Sequence, residues 1–577
     1  MVDTLPKNQA ILKYEDFFNK APPKNALDLI HNYCKATVLG EFAGLNYRLK
    51  PKNTMYYDTS LDTQINLLFY FCGSNEDLFN KYRKLYSRFI YNKNNYSSIF
   101  TRQTCLYASE QLVNSRLKEI EGFTMRYSWE GLLRYLLAVN SEITRQSDQP
   151  NDIENKEKEV FNFETLNPKL IPLNELSIEV NPLYTPFRGH KLMEYLSNHL
   201  EFGSHFKTYF IKTYGITFDH FIYELLSMYY ANNRDGLNDI TNEFTGEKLD
   251  TSFYYTVKNE DVALFDELSQ VFENTKTERL ISIKKYPFYK SLTGQFLLLD
   301  NILLLDKSYN QFINDFWFDT IKLVKEDATH LKFGVDYYRS VIGYFVENYS
   351  KEIFDYSFKT DKHHVLKTFN ELKVQNGSGE IELADIYIRY TKKIFIAQVK
   401  STGLYDDQKY SGDVNEMYRK DRDQFFDSFG IDQIITTIRN LKDVITQVDP
   451  AFPLDKNCHI FPAIVVNEKA MQTPLMAQIF NDRFNEKIVA LKLDKLKINP
   501  LCIIHISDLE QMEDYLHDSP PEFWRILKYH LRSPEFIPPF YNSINRLNIK
   551  SDFKKTRILF EKLVLKYQKI TDISTKV

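Results

Sequence analysis

Residues 379–401, GEIELADIYIRYTKKIFIAQVKS, constrain this chain more than any other stretch. Leu383–Tyr390 and Ile394–Val399 are rich in Ile, Tyr, Phe and Val, and polar Thr391–Lys393 separates them, which predicts two β-strands joined by a tight turn. A hairpin centred on Thr391 and Lys392 pairs Asp385 with Gln398. Strand side chains alternate faces, so Lys400 joins Gln398 while Phe395, Ala397 and Val399 point the other way. A carboxylate, an amide oxygen and an ammonium then converge at one strand end. That set suits a hard divalent cation and the polarisation of a phosphodiester.

The flanking sequence fits around this hairpin. Val335, Tyr338, Ile342, Phe345 and Tyr349 recur at helical spacing and predict an amphipathic helix, with Glu347 one turn beyond Gly343. HHVLKTFNELKV supplies a first strand. Downstream, Val414, Met417, Tyr418, Phe425 and Phe429 form one more apolar stripe, whose polar side carries Glu416, Arg419, Lys420, Arg422 and Gln424. CHIFPAIVVNE reads as a buried strand, and PLCIIHISDLEQMEDYL as a strand entering a helix capped by Ser507 or Asp508.

Helix, three strands, helix, strand, helix, strand resembles the PD-(D/E)XK nuclease superfamily over residues 326–515. Ala384-Asp385 stands at the family's "PD", and Gln398-Val399-Lys400 at its "(D/E)XK". Gln in place of the second acid is similar to the variant of Mrr-type restriction endonucleases. The resemblance implies a restriction-endonuclease-like α/β core with a mixed central sheet flanked by helices, and metal-dependent endonuclease activity on DNA in restriction or anti-phage defence. Asp385, Gln398 and Glu347 would hold Mg²⁺ or Mn²⁺, and Lys400 would position the attacking water. Glu380 and Glu382 are alternative acids at less fitting spacing. Arg419, Lys420 and Arg422 are candidates for DNA phosphate contacts, although Asp421 and Asp423 are interleaved with them. RNA is the alternative substrate, and a non-catalytic nuclease-fold scaffold is the alternative function.

The 577 residues allow two to four domains. The reading is α+β and multidomain. It has a helical domain at 1–145, a linker or irregular excursion at 146–185, a second helical domain at 186–325, the nuclease-like domain at 326–515, and a helical C-terminal extension at 516–577. FLLLDNILLLDKSYNQFINDFWFDTIKLVKED predicts a long buried helix or a helical pair. The helical half is expected to serve recognition, regulation or oligomerisation through a homodimer, a larger assembly or a protein partner.

A net charge of −4 gives no global attraction to nucleic acid, so any such contact must use local basic patches. From Tyr541 to the C-terminus, nine Lys or Arg face three acids, which fits either a backbone contact or a solvated helix face. The five cysteines are scattered without zinc spacing. The His363–His364 pair has no further ligands at such spacing and reads as structural. No run approaches a membrane span and the first residues, MVDTLPKNQAILKYEDFF, lack the basic and apolar regions of a signal peptide, so a cytoplasmic location is expected. P-loop, GxGxxG, GxSxG and HExxH patterns are absent.

Overall fold

A computed structural model of the chain describes residues 11–574 except 50–56, 73–74, 94, 116, 118–128, 148–162, 178–180, 232–238, 242–247, 251–253, 256, 258–260, 271–279, 324–333, 359–361, 377–378, 453–457 and 491–496. The chain forms two compact units, one of residues 1–150, 176–324 and 560–577, the other of 151–175 and 325–559.

The first unit is built mainly from helices, including Lys35–Arg48, Leu61–Cys72, Arg102–Val113, Trp129–Ser147, Tyr184–Ser197 and Phe218–Ala231. Much of the chain's aromatic content packs here. Phe206, Phe210, Phe312 and Phe316 meet in edge-on, tilted and stacked pairs, and all four are buried. Of the long buried helix or helical pair predicted from Phe296, the structure has the pair, short helices Asn301–Asp306 and Asn310–Phe316, but only after a strand, Phe296–Leu298. Asp300 accounts for the break. Its carboxylate accepts the Leu303 N–H as an N-cap and also takes hydrogen bonds from Asn46 and buried Arg102.

The second unit carries the hairpin. Its first helix, α1 (Val335–Phe358), follows the predicted amphipathic pattern. The predicted first strand is interrupted. Strand β1 (His364–Thr368) ends in a 3-10 turn, and a small ribbon of β2 (Lys373–Asn376) and β3 (Gly379–Glu382) precedes β4 (Ile386–Tyr390) and β5 (Lys393–Lys400). Leu383 and Ala384 lie outside the strand because they form the crossing from ribbon to sheet, tied by Leu383 N–H to the Leu372 carbonyl.

Beyond β5 the single apolar stripe becomes two short helices, α2 (Val414–Met417) and α3 (Arg422–Ser428). Arg419 and Lys420 take positive φ values of 49° and 65° between them, and Asp421 caps the second helix at Gln424 N–H. Helix α4 (Ile431–Val444) then leads to β6 (His459–Val466), α5 (Met476–Ala490), β7 (Lys497–Ile498), β8 (Cys502–His505) and α6 (Ile506–Asp518). The cap of α6 is His505, with Asp508 returning a bond to the His505 N–H.

These strands form a mixed six-stranded sheet in the order β7-β6-β5-β4-β1, with β8 also pairing β6. The β1-β4-β5 part is antiparallel, and β5-β6 and β6-β7/β8 are parallel. Pro462, which has no N–H to donate, lies in β6 between the residues that pair with β7 and those that pair with β8. Helices cover both faces. Phe354 of α1 packs on Phe395, while α4 begins on the opposite face at Gly430. The fold is therefore α+β, with a helical first unit and a helix-flanked mixed sheet in the second.

Two expectations about boundaries change. The 146–185 excursion contains a helix, Phe163–Ser177, despite Pro168 and Pro172. Its residues up to Glu175 belong to the second unit, where Glu164 accepts from Tyr418 and Arg422 and Glu175 from Tyr410. Residues 516–559, expected as an extension, are also part of that unit. Trp524 shows why: it is buried and donates its indole N–H to His364 Nε2 at 2.9 Å. His364 is thus a packed structural residue.

Candidate functional site

The hairpin turn sets the register of the site. Tyr390 pairs with Lys393 and Ile386 with Ala397, where the ladder ends, so Asp385 sits in the bend just before β4, one residue short of the predicted pairing with Gln398. The Asp385 peptide is held at both ends, its N–H donating to the Ala397 carbonyl (3.1 Å) and its carbonyl accepting from Phe369 N–H (2.9 Å). Its carboxylate accepts the Val399 N–H at 2.6 Å. The side chain therefore lies over the backbone of β5 at the point where Gln398 and Lys400 emerge.

Gly430 shapes the opposite wall. Its φ of 89° is a left-handed value, and a Cβ there would stand 2.7 Å from Lys400 Cε and 3.6 Å from Gln398 Cβ. The start of α4 can approach these two side chains only because residue 430 has none. Gly343 does the same for α1, where a Cβ would come within 3.1 Å of Ser401 Oγ. One turn later, α1 presents Glu347.

The electrostatics bring the acids together. Burial pushes the Asp385 carboxyl up to about 6; the Val399 N–H and Lys400 charge pull it down, and Glu382 pushes it further up. Glu347 is pushed up to about 7, first by burial, then by the charges of Asp385 and Glu382, with Lys400 opposing. Asp385, Glu347, Glu382 and Lys400 therefore share one electrostatic neighbourhood. Of the two alternative acids, Glu382 lies in it, while Glu380 pairs with Gln375 in the ribbon. The sequence signal for Glu382 was its nearness to Asp385; the ribbon that turns it toward the site left no such mark.

Gln398 is 6% exposed, yet among the described residues its amide has no hydrogen-bond partner, and Lys400 has no ion-pair partner. The Gln398 amide atoms are not fully sealed from solvent, so an open amide here is not an unsatisfied buried group. Carboxylate and amide oxygens are the donor types that a hard cation such as Mg²⁺ takes.

The basic candidates separate. Arg422 is held by Glu164 through two hydrogen bonds of 3.0 and 2.7 Å, so its charge is already matched. Asp423, expected to neutralise its neighbours, pairs with Arg483 instead. Arg419 and Lys420 are exposed. All five cysteines are buried and free. No described helix is long and apolar enough to cross a membrane. Compared with protein-family models, curated proteins and solved structures, the chain matches none of them.

Away from this site, in the first unit, the ligand atoms of His220, Glu224 and Asp261 lie within 4.8 Å of one another. His220 and Glu224 are four apart on one helix and bond at 3.2 Å, and the His220 ring stacks on Tyr567. No sequence reading singled these residues out, because Asp261 comes from a different element.

Proposed function

We propose that the chain is a metal-dependent nuclease of the PD-(D/E)XK type, with DNA as its substrate and the second unit as a restriction-endonuclease-like core. The observation that supports the reading is the meeting of Asp385, Glu347 and Lys400 in one electrostatic neighbourhood at the end of β5, with the Asp385 carboxylate held on the Val399 N–H between Gln398 and Lys400. The runner-up, a scaffold that keeps the fold without activity, would have Lys400 salt-bridged away from Asp385. Lys400 instead has no ion-pair partner among the described residues and lies within the field of Asp385 and Glu347.

Asp385, Gln398 and Glu347 would hold Mg²⁺ or Mn²⁺. The cation supplies positive charge to the phosphoryl oxygens and makes a neighbouring water more acidic. Asp385, fixed by Val399 N–H, sets the position of the phosphate. The Lys400 ammonium donates to the attacking water or to a non-bridging oxygen as charge develops there. The wall at Gly430 keeps its stem in one place, which limits the entropy lost in positioning. Restriction or anti-phage defence in the cytoplasm is the biological setting we propose.

A neutral ligand binds a cation less tightly than a carboxylate. Gln398→Glu is therefore expected to keep cleavage and to lower the Mg²⁺ concentration that gives half-maximal rate. A folded but inactive Glu variant would show that the amide N–H groups are needed, and would remove Gln398 as an oxygen ligand.

One site cuts one strand, and the strands of a duplex run antiparallel. Double-strand cleavage is expected to use a two-fold dimer, the commonest closed assembly, with the helical unit offering the interface. Light scattering of the free protein and of its DNA complex measures this. A strict monomer in both states that makes double-strand breaks in one encounter would contradict it.

A further inference from the structure

Arg339, Gly343 and Glu347 stand four residues apart along one side of α1. Each meets the chain leaving β5, in reverse order. Glu347 lies in the field of Lys400, a Cβ on Gly343 would come within 3.1 Å of Ser401 Oγ, and the Arg339 guanidinium lies 4.9 Å from the centre of the Tyr405 ring. Residues 400–405 thus run along α1 toward its N-terminus. At 1.5 Å per residue, Arg339 is about 12 Å along the helix axis from Glu347.

A second guanidinium reaches the same ring from another element. Arg419 lies 4.7 Å from the Tyr405 centroid. It does so from the left-handed pair Arg419 and Lys420, a backbone state that costs about 1–3 kcal/mol per non-glycine residue and tends to persist at functional positions. Arg339 and Arg419 are exposed, Tyr405 is 42% exposed, and among the described residues neither arginine has an ion-pair partner. Arg422, three residues beyond Arg419, has Glu164. Two unneutralised like charges on one tyrosine make a local positive patch, which an anion relieves. Contact with the ring restrains each guanidinium, and its N–H groups suit the paired oxygens of a phosphate.

We propose that Arg339, Tyr405 and Arg419 form a clamp for a nucleic-acid backbone phosphate, two helical turns of α1 away from Glu347 and the site at Asp385 and Lys400. The clamp rests on the nuclease reading, and it binds without regard to base sequence.

The test is fluorescence anisotropy of a labelled duplex DNA and of a labelled RNA, with EDTA present so that nothing is cut, over a series of salt concentrations. Arg339→Ala and Arg419→Ala are each expected to weaken binding several-fold and to reduce the slope of log affinity against log salt by about 0.9. Arg339→Lys should keep the slope, because it keeps the charge. Lys392→Ala, at the far end of β5, should change neither quantity. In Mg²⁺, Arg419→Ala should raise KM and leave kcat at saturating DNA unchanged. Unchanged slopes in both Ala variants would overturn the clamp even if Asp385→Ala were inactive. A wild-type protein with no salt-dependent affinity for either polymer would overturn it too. Slopes that fall while Asp385→Ala still cuts would uphold the clamp and refute the site assignment. Slopes that fall with RNA alone would uphold it with RNA as the backbone held.

Discussion

Asp385→Ala and Lys400→Ala are each expected to abolish Mg²⁺-dependent cleavage while the protein stays folded. Asp385 is the best-fixed acid of the site, held through its N–H, its carbonyl and its carboxylate. Lys400 is the cation whose field acts on both Asp385 and Glu347. Groups that act on one transition state are not additive, so the double variant should be hardly worse than either single one. Losses on the order of a thousandfold are typical when one charge-stabilising donor is removed. Single-turnover cleavage, with circular dichroism to verify folding, measures the effect. Full activity in either folded single variant would refute the assignment.

Asp385→Asn should make the protein more stable at about pH 8 without added metal, by up to about 3 kcal/mol, since one pKa unit corresponds to about 1.36 kcal/mol. The unfolded chain releases this proton near 3.8, whereas the folded chain holds it until about 6. Below the lower value both states are protonated and the group contributes nothing. Between the two values the folded state binds more protons, so stability falls as pH rises, and above the higher value the whole loss is present. Asparagine carries no charge and can still accept the Val399 N–H. The gain should therefore be large at high pH and vanish below about pH 4. Mg²⁺ should stabilise the wild type by mass action and leave Asp385→Asn unmoved. Thermal melts across pH, with and without Mg²⁺, give both readings. A destabilised Asn variant at high pH would mean that Asp385 is a structural carboxylate.

The local geometry of the hairpin was legible in the sequence because period-two strands and a short turn leave one register. That register brings Asp385 to the start of β4 and onto the Val399 N–H of β5, although the ladder itself stops at Ile386 and Ala397. The amphipathic stripe of α1 and the apolar run of β6 were equally plain. Other features were hidden for identifiable reasons. The β2-β3 ribbon is too short to show a period, so Glu382 was not connected to Glu347. The break between α2 and α3 lies in two residues, Arg419 and Lys420, whose positive φ values are set by neighbouring packing and not by glycine. Asp421 was the available sign, as an N-cap, but it was read as a neutralising charge. The partner of Arg422 is Glu164, more than 250 residues away, and no local pattern reports such a pairing. The Arg339–Tyr405–Arg419 stack joins three separate segments and is visible only in three dimensions.

The central claim is that this chain cuts phosphodiester bonds with a divalent cation at Asp385, Gln398 and Lys400. The most direct test incubates the purified full chain, and Asp385→Asn beside it, with supercoiled plasmid, linear DNA and RNA in Mg²⁺, Mn²⁺ or EDTA. The account predicts nicked or linear plasmid in Mg²⁺ or Mn²⁺, intact plasmid in EDTA, and no cutting by the folded Asn variant in any condition. Intact polymers throughout, from a folded wild-type protein in its free and assembled states, would contradict it, as would cleavage that persists in EDTA or in the Asn variant.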